Sequence, residues 1–223
     1  MKKLHDQYGI VVSFYVFYSW NVEDGRFNLA EATDRFQEEF SANSDWLRFG
    51  FHAKDAPAYE TIDAEEELYY YNITIKELLR ITGSEDCIDN FVRLDRYYAT
   101  AEMIEALTET DYGIVGLLTS DNPDRNSYAL SGDERIALYD ADWYADSNGV
   151  QYTPTDIRLE GLEGRAQFRD RLVQVSDQEQ IVIFTHEWFL SDKNVQKYMK
   201  WFAMFGERYQ REFAFPEDRI KTL

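Results

Sequence analysis

An α/β fold built around a largely parallel sheet is what this sequence predicts, and three patterns lead there. Short apolar runs alternate with longer stretches in which apolar residues recur every three or four positions, as in successive βα units. Most of the short runs are continuously apolar, as strands buried on both faces are. No repeat with a period of roughly 20 to 50 residues and no low-complexity linker divides the chain, so residues 1–223 are expected to form one domain.

The elements follow in order. Six strands are expected: IVVSFYVFY (10–18), LRFGFHA (47–53), FVRLD (91–95), GIVGLLT (113–119), TDIRLE (155–160) and IVIFTHE (181–187). Helical spacing links Phe36 with Phe40, then Leu68, Ile75, Leu78 and Leu79, then Met103, Ile104 and Leu107. Gly83 follows LLRIT as a C-cap, since glycine takes the left-handed conformation without a Cβ penalty. Phe168, Leu172 and Val175 mark a helix before the last strand, and Val195, Tyr198, Met199, Phe202 and Phe205 one after it. Residues 120–154, rich in Asp, Asn, Ser and Tyr, read as an irregular loop or small hairpin insertion. The chain opens on about one turn of helix, KKLHDQY, immediately before its most apolar strand.

Composition removes several classes of function. A net charge of -19 leaves no basic stripe with which to neutralise phosphodiesters or anionic lipid, so neither nucleic acid nor a membrane surface is an expected partner. The longest apolar run, GIVVSFYVFY, falls well short of the roughly 20 residues that span a bilayer. No signal-peptide pattern opens the chain, which reads as cytoplasmic. Cys87 is the single cysteine, which excludes an internal disulfide and any multi-cysteine zinc site.

In parallel βα folds ligands bind at the carboxyl ends of the strands. The polar residues expected there are His52 and Asp55, Arg93 and Asp95, Thr119, Ser120 and Asp121, Asp156 and Arg158, and His186 and Glu187. Two histidines and several carboxylates on one rim suit either a metal site or a general acid–base pair. His5 lies on a polar helix and is expected to be solvated. Other matches fail on spacing: HEWFL has Leu190 where HExxH needs its second histidine, no phosphate-cradling glycine loop occurs, and no G-x-S-x-G elbow is present. DADW (140–143) reads as a solvated acidic turn, and the three consecutive tyrosines 69–71 should point different ways, at least one of them into the core.

The strand-end segments together resemble the polysaccharide deacetylase (NodB-homology, carbohydrate esterase family 4-like) superfamily, nearest to its divergent bacterial branch. HDQYGIVVSFYVFY, then FSANSDWLRFGFHA, RLDRYYAT and IVIFTHEWFL fall in that family's order over most of the chain. The resemblance implies a distorted (β/α) barrel of seven strands, of which about six are present here, the first being expected to be missing. It also implies hydrolysis of acyl groups on carbohydrate, or of a related small amide or ester, through a divalent metal such as zinc. His52 then matches the first histidine of the metal motif, with Asp55 as a substitute oxygen ligand. His186 matches the general-acid histidine, Arg93 the arginine that positions a catalytic carboxylate, and Asp95 stands beside it as a catalytic candidate. The chain departs from the family where Ala56 replaces the second metal histidine and where Arg93-Leu94-Asp95-Arg96 replaces R-x-P-Y.

Three readings follow. One is a metal-dependent hydrolase of an acylated carbohydrate. Another is a non-catalytic relative that binds a carbohydrate, another small molecule or a partner without metal. The last is a barrel remnant of limited stability, its neighbouring strands left with unpaired edges.

Overall fold

A computed structural model describes residues 1–22, 25–56 and 61–220. Helix α1 (Lys2–Tyr8) ends at Gly9 with φ 73°, and strand β1 (Val12–Phe17) follows directly. A hairpin of β2 (Ser19–Val22) and β3 (Gly25–Asn28) leads to the short α2 (Gln37–Ser41) and then β4 (Leu47–Ala53). β4 pairs with β1 in parallel, from Val12 opposite Leu47 to Val16 opposite Phe51; Phe17 then faces Ala53, which leaves His52 as the extra residue of a bulge. Bulges of this kind re-aim a side chain at a sheet's functional end.

The long helix α3 (Ala64–Thr82) starts at Asp63, whose side chain accepts the Glu66 N–H, and ends at Gly83 with φ 70°. Its buried face includes Tyr71, Ile75 and Leu78, while Tyr69 is exposed, so one tyrosine of the three is core as the helical spacing requires. Strand β5 (Phe91–Val92) continues from a bridge between Phe49 and Ile88, and a short β6 (Tyr98–Ala99) precedes α4 (Ala101–Thr108). Met103, Ile104 and Leu107 of α4 are buried. Strand β7 (Gly116–Thr119) pairs with β5 in parallel, and the Phe91 ring covers Gly116 so closely that no Cβ would fit there.

Residues 120–154 are not an irregular insertion. They contain β8 (Ser127–Tyr128), α5 (Gly132–Ala141), β9 (Tyr144–Ala145) and β10 (Gln151–Pro154). β9 and β10 do form a hairpin, but β10 is fully buried and pairs in parallel with β7, so it belongs to the central sheet. Its sequence, QYTP, has no apolar run to mark it as a buried strand. The chain then leaves β7: the Thr155 N–H still reaches the Thr119 carbonyl, the Asp156 N–H reaches Val182, and β11 (Ile157–Arg158) pairs in parallel with β12 (Ile183–Phe184). Helix α6 (Arg165–Gln174) lies between them in sequence, and α7 (Lys193–Arg208), capped by Asp192, follows β12.

The fold class is therefore mixed α/β: the six expected strand positions hold β1, β4, β5, β7, β11 and β12, the unexpected β10 joins them, and they pair in parallel within separate small sheets, β1 with β4, β5 with β7 and β10, and β11 with β12. Among the described residues no closed barrel forms: the pairing is broken into small sheets, and none joins β12 to β1. One apolar cluster packs α3, α4 and α5 on the strands from β4 to β10; a second gathers Ile157, Leu159, Phe168, Leu172, Val195, Tyr198 and Met199 around α6 and α7. Among the described residues no helix is long and apolar enough to cross a membrane.

Candidate functional site

The carboxyl ends of β5, β7, β11 and β12 enclose a cleft of about 220 Å³ lined by Arg93, Asp95, Arg96, Tyr97, Arg125, Arg158, Phe184 and His186. All three residues expected to act catalytically, His186, Arg93 and Asp95, thus lie in one place.

Of the residues expected to bind metal, His52 lies behind this cleft. It is buried, the Phe17 ring meets it edge-on at 4.6 Å, and its Nδ1 is 2.5 Å from the Arg93 carbonyl oxygen. A carbonyl only accepts, so Nδ1 carries the proton and donates. Burial, helped by the Arg93 charge, lowers the His52 pKa, so the ring is neutral and its lone pair is on Nε2. That lone pair faces the Arg93 guanidinium, with Nη1 3.1 Å away, while Asp95 Oδ1 is 3.5 Å from the same nitrogen. Burial raises the Asp95 pKa, but a backbone N–H of Arg96 and the Arg93 charge act against it, and the carboxyl titrates below its usual range. Asp55, half-buried beside Lys54, does not line the cleft.

These donors do not fit a metal ion. Among the described residues no three His, Cys, Asp or Glu side chains come together to hold one, and the electron pair that His52 would give a metal already accepts from a guanidinium. Position 56 is alanine, so no second imidazole competes for that place.

His186, at the other side of the cleft, is held on two sides. Its Nδ1 is 2.6 Å from Glu160 Oε1, which also takes Arg158 Nε at 2.7 Å, and Trp188 stacks on the ring at 4.6 Å. Burial acts to raise the Glu160 pKa, but the His186 and Arg158 contacts with backbone and hydroxyl donors win and hold it at about 2. Glu160 is therefore a carboxylate that fixes the imidazole, leaving Nε2 toward the cleft.

Sequence reasoning missed Glu160, because its contact with His186 is made between segments 26 residues apart. Both strands end just before these residues: β11 and β12 pair as far as Arg158 and Phe184, and the turns that follow bring Glu160 and His186 together. It also missed Arg96, Tyr97 and Arg125 as cleft residues. Arg96 and Tyr97 are consecutive non-glycine residues with φ 52° and 56°, a strained pair of the kind that gathers at functional sites, and nothing in RLDRYY announces it. Thr119, Ser120, Asp121 and Glu187 do not line the cleft, and Asp156 turns its carboxylate to the Val182 N–H instead. His5 is not simply solvated: its ring stacks on Trp46 at 4.9 Å and its Nδ1 is 3.0 Å from the Ile10 carbonyl. Asp142, expected in a solvated turn, is half-buried and takes a hydrogen bond from Gln178.

No protein-family model matches the chain, and no curated protein matches it either. The geometry of the cleft is what bears on function.

Proposed function

We propose that this chain is a metal-independent binder of a small molecule of carbohydrate size, built on an opened and distorted relative of the deacetylase barrel. The observation that carries this reading is the 3.1 Å contact of Arg93 Nη1 with His52 Nε2, which puts a fixed organic cation where the resembled family would hold its divalent one. A guanidinium cannot act as a Lewis acid or lower the pKa of a water as a metal does. What it retains is charge and a fork of N–H donors, the equipment of recognition. Parallel pairing of β1 with β4, of β5 with β7 and β10, and of β11 with β12, with the cleft at the carboxyl ends of β5, β7, β11 and β12, supports the barrel-derived architecture.

The test is calorimetric titration of the chain with small sugars and their acidic derivatives, with and without a chelator. Saturable binding unchanged by chelator is expected. Binding that disappears with chelator and returns with zinc would overturn the reading.

One observation favours the metal-dependent hydrolase as a second reading: His186, oriented by Glu160, shares the cleft with Arg93 and Asp95. An oriented imidazole beside a carboxylate and an arginine can move a proton during hydrolysis of an acylated carbohydrate or a related amide or ester. That reading requires Arg93 to withdraw from His52 and predicts release of acetate from acetylated sugars that stops with chelator and is lost in His186→Ala.

A further inference from the structure

The cleft carries a chemical preference of its own, and it lies in the arginines. Arg93 and Arg96 come from the segment after β5, Arg125 from the turn after β7 and Arg158 from the end of β11, yet all four line one space in which Asp95 is the only carboxylate among the described lining residues, with Glu160 behind Arg158 and His186. In a chain with 42 acidic against 23 basic residues, composition alone would not gather them.

Several donors there lack acceptors. Tyr97 is 2% exposed and its hydroxyl has no hydrogen-bond partner among the described residues; the buried Nε of Arg93 has none either. The exposed Arg125 side chain takes part in no hydrogen bond or ion pair among the described residues. A buried donor without an acceptor is costly, and an oxyanion in the cleft would supply one to several groups at once. Guanidinium groups match carboxylate and phosphate oxygens in pairs.

The number of donors decides between those two anions. One bidentate arginine already occupies both oxygens of a carboxylate, whereas a phosphate monoester offers three oxygens and two negative charges. Glu160 takes Arg158 Nε and His186 Nδ1, His52 takes Arg93 Nη1 and Asp95 draws on Arg96, yet the N–H groups that remain on four guanidinium groups, with the Tyr97 hydroxyl, exceed what a carboxylate can use. The cleft is also small, about 220 Å³, which suits a phosphate with a short polyol or sugar fragment rather than a long chain. We propose that the cleft binds the phosphate monoester of a small polyol or sugar. This rests on the metal-independent reading and names its ligand class.

The experiment is titration of the full chain, in the presence of EDTA, with inorganic phosphate, glycerol phosphate, glycerate and glycerol. Phosphate and glycerol phosphate are expected to bind, glycerate about tenfold more weakly and glycerol not at all. Arg125→Ala, at an exposed side chain free of such partners, should leave the unfolding midpoint unchanged and weaken phosphate about tenfold; Arg96→Ala should weaken it similarly. The proposal is overturned if phosphate fails to bind at millimolar concentration, if the arginine variants bind it as tightly as the parent, or if glycerate binds as well as glycerol phosphate. The two readings fail differently. Phosphate binding that appears only with added zinc removes the metal-independent reading, whereas chelator-indifferent binding of glycerol without preference for its phosphate removes this one alone.

Discussion

Arg93 controls both ring nitrogens of His52: its carbonyl oxygen accepts from Nδ1 at 2.5 Å, and its guanidinium approaches Nε2 at 3.1 Å. The same guanidinium lies 4.6 Å from the Tyr97 ring and 5.6 Å from that of Phe184. A single side chain thereby ties the bulge in β4 to the cleft wall at β12.

Replacing Arg93 with methionine keeps the carbonyl and removes the cation. The His52 pKa is expected to rise, because the arginine charge is one of the causes that lower it. Loss of the ring and imidazole contacts should cost about 1–3 kcal/mol of stability. Imidazole proton shifts followed against pH, with urea unfolding alongside, check both; an unchanged His52 titration would mean the contact is absent in solution.

Glu160 is the anchor of His186, with 4% of its side chain exposed. Its pKa is depressed to about 2, so its contribution to stability is present above the unfolded carboxylate value near 4.5 and is lost as pH falls from there through about 2. Glu160→Gln should therefore destabilise by about 1–3 kcal/mol at pH 7, with a smaller penalty at pH 3. Equal penalties at the two pH values would contradict the assignment.

Three other carboxyls act in the opposite sense. Burial raises Asp89 to about 6, Asp142 to about 6 and Asp156 to about 7. A folded-state pKa above the unfolded one means the folded chain holds its proton more tightly, so each group destabilises progressively as pH rises from about 4 through its folded value. With Asp95 and Glu160 depressed and costing stability only in acid, the maximum is expected at about pH 4 rather than at neutrality. Chemical denaturation across pH 4 to 8 measures this curve, and Asp156→Asn should flatten its alkaline side. A maximum at pH 7 or above in the parent chain would refute it.

Gly116 lies under the Phe91 ring, where an added Cβ would stand 2.2 Å from a ring carbon. Gly116→Ala must displace that ring or separate β5 from β7, at a cost of about 1–3 kcal/mol. A thermal midpoint equal to that of the parent would show that the two strands are less tightly apposed.

How much was legible depended on whether the information is local. Short apolar runs, most of them continuous, located six strands, and period-matched residues such as Met103, Ile104 and Leu107 located the helices they bury. Gln151–Pro154 escaped because a strand walled on both sides can also be filled by Gln, Tyr and Thr when its partners are supplied by distant segments. Arg93, Asp95 and His186 were found from their positions at strand ends, and the structure does unite them. The role of His52 was not legible, since whether its nitrogen meets a metal or an arginine depends on residues 41 positions away.

The sequence by itself determined the α/β class, six of the strand positions and the rim on which polar groups collect, because periodicity and burial are written residue by residue. Only the tertiary structure decided that the strands stay an open series, that Glu160 holds His186, and that the cation beside His52 is the guanidinium of Arg93. Those outcomes depend on register, on the bulge at His52 and on the left-handed pair Arg96–Tyr97. Each is fixed by contacts between segments far apart in the chain, which no local pattern encodes.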